Sequence, residues 1–528
     1  MKPSSSAFFS MRFSALVFFC AAACCTGLFF NAAASAANFE LAINNARVID
    51  PETGLDGIRS IGISDGKIKK LSRRPLRATQ LIDAKGAIVG PGFIDLHAHG
   101  SSLLSGRLQA FDGVTTAIEA EVGQLPVNKA YALAEQQGRV TNYGWTASWG
   151  LARMQVLGGI EPDGTLERFN QALQNNKWTK KATDEQEKEI LALLEQNLKD
   201  GALGIGLING YVPKVSHGEI MHLSQLAAKH NVPIMTHQRF WGQSDPGGDL
   251  AATQEIISNA ITTGAHWYVC HLSLVTASET QPMFVAAREH GAKISVEALV
   301  SDTGSTFLGA EFLAPEALPY FSRGFEPKDI LYYGKPISDA EELTRLRKQD
   351  PGALIFLLHR DVTKNAKHRA EQLQSFSLPD TILGSDAMPW QHRNGKPIAG
   401  DTWPLPEDAW AHPRSLATYT RFLQLWVREW QEFTVMDAFR LGSYNAASSL
   451  ESEIPAFKRK GRVQVGADAD LIMFSLDDIS VRATLQNPLP HSLGMRYVIV
   501  AGVPIIEEGE LNTDAFPGKA VRRPSQQE

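Results

Sequence analysis

The sequence predicts an α/β protein, a (β/α)8 TIM-like barrel carrying a small β-sandwich built from both chain ends. Three observations carry that reading. Residues 92–450 alternate short apolar runs with capped helical segments, the pattern of a parallel sheet. The flanks, 37–91 and 451–516, are short apolar runs broken by turns, and neither alone has enough strands to close a core. Seven or eight β-then-α units in the middle suit a barrel with inserted loops. A doubly wound open sheet is the alternative, although no glycine-rich dinucleotide loop is evident.

Residues 1–36 read as a secretory signal. Lys2 and Arg12 supply the positive start, an apolar run extends over 13–30, and Ala34-Ser35-Ala36 is a small-x-small cleavage site. An uncleaved anchor is the alternative, because the run is about long enough to span a bilayer. Met11 is a second possible start. Cys24 lacks the leucine that usually precedes a lipoprotein acceptor. Cys20, Cys24 and Cys25 all fall in this segment, so only Cys270 remains beyond it and no internal disulfide can form there. The expected product is soluble and exported, most simply to a bacterial periplasm. With 51 basic and 57 acidic residues the net charge is −6, which offers nucleic acid no basic surface. Beyond the signal no stretch approaches the about 20 apolar residues of a membrane span.

Along the N-terminal flank, Phe39-Glu40-Leu41-Ala42-Ile43 alternates and Asn44-Asn45 turns. Asp65-Gly66 between two apolar runs is a hairpin signal. Residues 461–463, 470–474, 495–501 and 503–506 read alike at the other flank. In the middle, Thr183 and Gln186 form a capping box for a helix that runs to Lys199 and stops at Gly201. A strand over 202–207 follows. Ser216 and Glu219 form a second box, for a helix to about His230. Strands over 233–236, 267–270 and 293–297 then alternate with helices near 250–263 and 281–290. The polar tail 517–528 is expected to fray.

His97-Ala98-His99 follows the apolar strand segment Gly90-Pro91-Gly92-Phe93-Ile94-Asp95-Leu96. Residues i and i+2 of a strand share a side, so the two imidazoles can grip one metal ion. His237 ends the strand 233–236, His271 ends 267–270, and Asp386 ends Thr381-Ile382-Leu383-Gly384-Ser385. Singly, each reads as a structural residue or a turn. Together, four histidines and an aspartate at strand ends converge on one barrel rim. Nitrogen and oxygen ligands of this kind suit zinc (Zn2+), with manganese, iron or cobalt as alternatives.

These residues, with Asp112-Gly113-Val114-Thr115-Thr116, Gly201-Ala202-Leu203-Gly204-Ile205-Gly206-Leu207, Thr236-His237-Gln238-Arg239, His412-Pro413-Arg414 and the segment 461–471, resemble the amidohydrolase superfamily. The resemblance covers nearly the whole chain after the signal and is closest to the N-acyl-D-amino-acid deacylases (D-aminoacylases). It implies one metal pair from His97 and His99 with Asp386, a second from His237 and His271, and a bridging ligand at the end of the second strand. The D-aminoacylases place a cysteine there. This chain offers Ala117-Ile118-Glu119-Ala120-Glu121-Val122-Gly123 instead. Glu121 lies nearer the strand's end and is favoured over Glu119, and the unused glutamate would orient a ligand from behind. Whether one or two metals bind stays open.

The implied activity is metal-assisted hydrolysis of a linear amide, a small N-acyl amino acid. A bound metal lowers the pKa of water from about 15.7 toward about 7. Ionised Asp386 takes the water proton and passes it to the leaving amine. Arg414 is expected to clamp the substrate carboxylate, with Arg239 as the alternative. Two departures bear on substrate. Ser273 stands where the deacylases carry a lysine, and Ser301 where a tyrosine is expected. A cyclic-amide hydrolase or dipeptidase of the same superfamily is the second reading, weakened because the strand 202–207 offers no counterpart of a carboxylated lysine. A non-catalytic binding protein on the same barrel is the third, opposed by the retained His–Asp set. His359 reads as a core histidine. Trp390, Trp403 and Trp410 read either as a lid or as packing. Strand alternation points Cys270 away from His271's side. Nothing in the sequence sets the oligomeric state.

Overall fold

Eight short, largely apolar runs form the barrel: β1 (Phe93–Asp95), β2 (Val114–Gln124), β3 (Asn142–Ser148), β4 (Ile205–Leu207), β5 (Pro233–Thr236), β6 (His266–Val269), β7 (Ile294–Leu299) and β8 (Ile382–Gly384). Neighbours in sequence pair in space, and every pair is parallel. The ring closes between β8 and β1. His99 N–H donates to Ala387 O at 2.7 Å, and Ala387 N–H donates to His97 O at 3.3 Å. Buried Asp95 reinforces the seam by accepting from Ser385 N–H at 3.2 Å and from the Ser385 hydroxyl. The computed structural model describes residues 39–525 apart from 101, 164–167, 169–175, 243–246, 273–275, 319–324 and 359. The expected signal, Ser273 and His359 therefore lie outside the described residues.

The barrel helices begin where their caps are. Thr183 and Gln186 close a reciprocal box on Asp184–Lys199. At His217–His230, Ser216 accepts from Glu219 N–H at 3.0 Å, but the Glu219 carboxylate does not turn back to complete a box. It is buried against Arg153, whose Nη1 donates to both carboxylate oxygens at 2.6 and 2.7 Å, and against Trp149 Nε1 at 2.9 Å. A buried charge-assisted pair outcompetes a capping bond at a solvent-facing helix start. The helices Asp249–Thr263 and Ala277–Glu289 complete this side, the second starting earlier than its sequence signal.

Both chain flanks meet in one nine-stranded sheet. The junction is Ile88–Pro91, parallel to Phe39–Asp50 on one edge and antiparallel to Leu471–Phe474 on the other. Asp65 and Gly66, at φ 53° and 67°, make the expected hairpin turn between Leu55–Ser64 and Lys67–Ser72. Leu41, Ile43, Val48, Ile61, Leu471 and Ile499 form a core on one face. A smaller antiparallel sheet, not anticipated from the sequence, is inserted between β7 and β8. Its strands Gly304–Phe307, Ile330–Tyr332, Lys335–Pro336 and Leu354–Leu357 enclose Leu308, Leu313, Ile355 and Leu343.

The barrel interior below the rim is filled by Ile94, Leu96, Ile118, Leu203, Met235, Tyr268, Cys270 and Ile382, with Val521 joining them. The expectation of a frayed tail is thus overturned for its described part. Tyr143 N–H donates to Lys519 O at 3.1 Å, Val521 N–H to Tyr143 O at 2.7 Å, and Gly518 N–H to Arg139 O at 2.9 Å. Tyr131 Oη donates to Val521 O at 2.8 Å. Backbone pairing and one apolar side chain, 2 % exposed, anchor a segment whose composition is polar. Val521→Asp puts an unpaired carboxylate into the barrel floor and is expected to destabilise by about 2–4 kcal/mol. An unchanged thermal midpoint in that variant would show that the floor does not depend on the segment.

Candidate active site

Four imidazoles and three carboxylates gather at the C-terminal ends of the barrel strands. His97 and His99 follow β1, and their Nε2 atoms lie 3.1 Å apart. β2 runs past the rim through a register shift between Glu119 and Gln124, and this overhang carries both glutamates into the site. Glu121 is central. Its Oε1 lies 3.2 Å from His237 Nδ1, and its Oε2 lies 2.8 Å from His271 Nε2 and 3.4 Å from His97 Nε2. Glu119 stands behind and accepts from His99 Nδ1 at 2.9 Å. Asp386, beyond β8 at φ 50°, turns Oδ1 toward His99 Nε2 (3.2 Å) and His97 Nε2 (3.6 Å).

Among the described residues four donor sets have their ligand atoms within 4.8 Å of one another: His97, His99 and Glu121; His97, His271 and Asp386; Glu121, His237 and His271; and, deeper, His97, Cys270 and Glu297. Nitrogen and carboxylate donors this close fit a divalent transition metal. The rim also demands positive charge. Burial opposes protonation of His97, but Glu297, Glu121 and Asp386 outweigh it and lift the imidazole to about 9. Burial likewise opposes protonation of His99, and Glu119 and Asp386 carry it well above the ordinary histidine range. Burial pushes Glu121 up, yet His237, His271 and His97 hold it well below the usual carboxylate range. Protons on His97 and His99, or a cation among the same atoms, meet that demand.

One expectation about orientation changes. Cys270 lies inside the barrel beside Tyr268, with its sulfur within 4.8 Å of ligand atoms of His97 and Glu297. Strand alternation fails there because His271 adopts φ 36°, a left-handed conformation that brings two consecutive side chains to the same interior. The thiol remains a poor nucleophile: burial pushes it well up, as does Glu297. Arg414, expected to face substrate, lines the cavity and also grips Asp386. Its Nη2 lies 2.6 Å from Asp386 Oδ2 and its Nε donates to Asp386 O at 2.6 Å. Burial pushes Asp386 up, but Arg414 and His97 hold it well below the carboxylate range, so Asp386 stays ionised.

Arg239 is not brought to the site. Its Nε and Nη2 form a fork on Glu255 at 2.8 Å each, and Nη1 donates to Pro213 O and Val215 O at 2.8 and 2.6 Å. An acceptor-rich neighbourhood has fixed this guanidinium as a strut, so the substrate-binding expectation for Arg239 is corrected. Ser301 lines the cavity above the cluster, with its hydroxyl donating to Thr303 O at 2.9 Å. The aromatic wall is not the tryptophan trio. Trp410 stacks on Phe356 at 4.8 Å and Trp403 on Phe111 at 6.4 Å, whereas Tyr211, Trp241, Phe307 and Phe312 face the cavity.

Sequence reasoning missed Glu297 in β7. It is fully buried and serves three donors: His97 Nδ1 at 2.8 Å, His271 N–H at 3.1 Å and Tyr268 Oη at 2.8 Å. Its signal was legible, a lone carboxylate inside the apolar run Ile-Ser-Val-Glu-Ala-Leu. Gly384 makes room for it, since a Cβ there would fall 2.3 Å from the Glu297 carboxyl carbon. By holding Nδ1–H, Glu297 leaves the Nε2 lone pair of His97 facing the cluster. Glu297→Gln is expected to weaken metal retention by about 10–100-fold. Equilibrium dialysis followed by metal analysis checks this, and unaltered retention would refute it.

The chain matches the Amidohydrolase family over residues 88–505. It is 23% identical to the N-acyl-D-glutamate deacylase of Alcaligenes xylosoxydans xylosoxydans over 516 residues, covering 92% of this chain and 96% of that enzyme. The D-aminoacylase of the same organism is also 23% identical, covering 92% and 97%. Dihydroorotase of Anaeromyxobacter is 28% identical over 249 residues, a match that spans about half of each chain (45% and 55%). Among solved structures, the N-acyl-D-glutamate deacylase of Bordetella bronchiseptica, complexed with zinc and a phosphonate inhibitor, superposes with a TM-score of 0.72 at 22% identity. That match covers 92% of this chain and 100% of the other. By the extent of the family match, the chain belongs to the amidohydrolase family.

Proposed function

We propose that the protein is an exported, zinc-dependent hydrolase of a linear amide that deacylates small N-acyl amino acids, of D configuration in the first instance. The observation that carries this reading is the convergence of His97, His99, His237 and His271 on Glu121, with ionised Asp386 above them. A divalent metal held by these residues would lower the pKa of a water molecule and polarise the scissile carbonyl. Glu121 would bridge two ions if two bind. Export, in a bacterial periplasm, rests on the leader-like residues 1–36.

The chain's own residues divide the remaining work. Asp386 Oδ1 faces the cluster, and Arg414 fixes Oδ2. The aspartate therefore stays ionised with one oxygen aimed where a water proton is released, and can return that proton to the leaving amine. Glu297 and Glu119 hold the outer nitrogens of His97 and His99. Trp241 Nε1 lies 2.9 Å from His237 Nε2, so the Nδ1 of that ring faces Glu121. The partial dihydroorotase match supports a cyclic-amide activity as the second reading, against which β4 presents only Ile, Gly and Leu.

Amine release from N-acetyl and longer N-acyl amino acids, D and L, is expected from metal-loaded protein and lost after chelation. No release from a verified metal-bound sample, with turnover of a cyclic amide or dipeptide, would replace the reading by its alternative. Asp386→Ala is expected to lower kcat on the order of 10²–10⁴-fold. Full activity in that variant, with metal content confirmed, would remove Asp386 from proton transfer.

A further inference from the structure

We propose that Trp241 gates the second metal position: its indole N–H holds His237 in the tautomer that cannot bind a metal, so this half of the cluster fills after the other. The proposal rests on the metal-dependent reading above. The two halves of the rim differ in what stands behind their imidazoles. Glu297 and Glu119 accept from Nδ1 of His97 and His99 at 2.8 and 2.9 Å. Both rings therefore keep a proton on the outer nitrogen and turn their Nε2 atoms inward, 3.1 Å apart. Behind His237 stands an indole instead, with Nε1 2.9 Å from Nε2. An indole N–H donates and cannot accept. The Nε2 of His237 is thus the acceptor, and the ring's proton sits on Nδ1, 3.2 Å from Glu121 Oε1.

A neutral histidine that gives Nδ1 to a metal carries its proton on Nε2. In His237 that tautomer would set two N–H groups face to face across 2.9 Å. Indole and metal therefore compete for one ring through its opposite nitrogens. The ring has little freedom to escape by turning. Its Cδ2 edge abuts Gly210, where a Cβ would fall 2.3 Å away, and the Tyr211 ring lies 4.9 Å from it, centroid to centroid. Trp241 is the freer partner, half-buried and lining the cavity. Its indole also lies 4.9 Å from the His271 ring. His271 has no acceptor behind it either: its buried Nδ1 lacks a hydrogen-bond partner among the described residues. Acceptors hold both imidazoles of the first half in the metal-binding tautomer, and neither imidazole of the second half.

The test titrates metal-free, full-length protein with Zn2+ against a competing chelating indicator, for wild type, W241F and W241Q. Removing the indole donor in W241F is expected to tighten the second ion by about 3–10-fold and leave the first unchanged. W241Q, whose amide oxygen can accept from the Nε2–H, should match or exceed it. H237A should abolish the second step in both backgrounds. In wild type itself, tryptophan emission is expected to change as the second equivalent binds. Weaker second binding in W241F would make the indole a support for the ligand and overturn the proposal. Unchanged binding, an effect on the first ion alone, or an emission that ignores the second equivalent would do the same. Uptake of one ion by every protein would also overturn it, while chelator-sensitive amide hydrolysis with that one ion would leave the proposed function standing. Two-ion binding with the expected shift, but no amide hydrolysis, would sink the hydrolase reading alone.

Discussion

Glu121 carries its charge where water barely reaches, 3 % exposed beneath His97, His237 and His271. An ionised carboxylate in such a place costs several kcal/mol unless partners compensate it. The rim is organised around that compensation. Each neighbouring imidazole that turns one nitrogen inward needs something to fix the other. Glu297 does so for His97, Glu119 for His99 and Trp241 for His237. The two glutamates are themselves buried, so their part of the arrangement extends from the cavity into the barrel wall, whereas Trp241 faces the cavity.

The same economy governs the backbone. His271 and Asp386 sit at φ 36° and 50°, a region that costs a side-chain-bearing residue about 1–3 kcal/mol. Neither is left to relax. The Glu297 carboxylate accepts the His271 N–H, and the Arg414 Nε donates to the Asp386 carbonyl. One group thus holds both a side chain from β1 and the backbone beyond β6. Another holds both the carboxylate and the main chain of a single aspartate. Rigid elements of this kind keep reacting groups in place without reorganisation.

Local signals made much of this readable. An apolar run ending in histidine marks a strand that stops at a rim, and Thr183 with Gln186 marks a helix start, because both depend on neighbours in sequence. What failed depends on distant partners. Arg239 is claimed by Glu255 on the following helix. Glu219 prefers Arg153 to its own cap. Alternation misplaced Cys270 because a single φ reverses the count at His271. Composition misjudged 518–523, whose attachment is mostly main-chain bonding, which side-chain polarity does not report.

The barrel floor has a bearing on how the chain is made. Val521 reaches the interior long after β8 has left the ribosome, and the strands Leu471–Phe474 and Met495–Val500 come late to the sheet that Phe39–Asp50 begins. A growing chain therefore carries an unsealed barrel and a half-built sheet through most of its synthesis. Its apolar interior stays open to holdase chaperones, and to aggregation, until those distal segments arrive. Folding that must wait for distant segments is slow in proportion to the loops it closes. Such a chain spends longer unfolded than one whose contacts are all between neighbours in sequence.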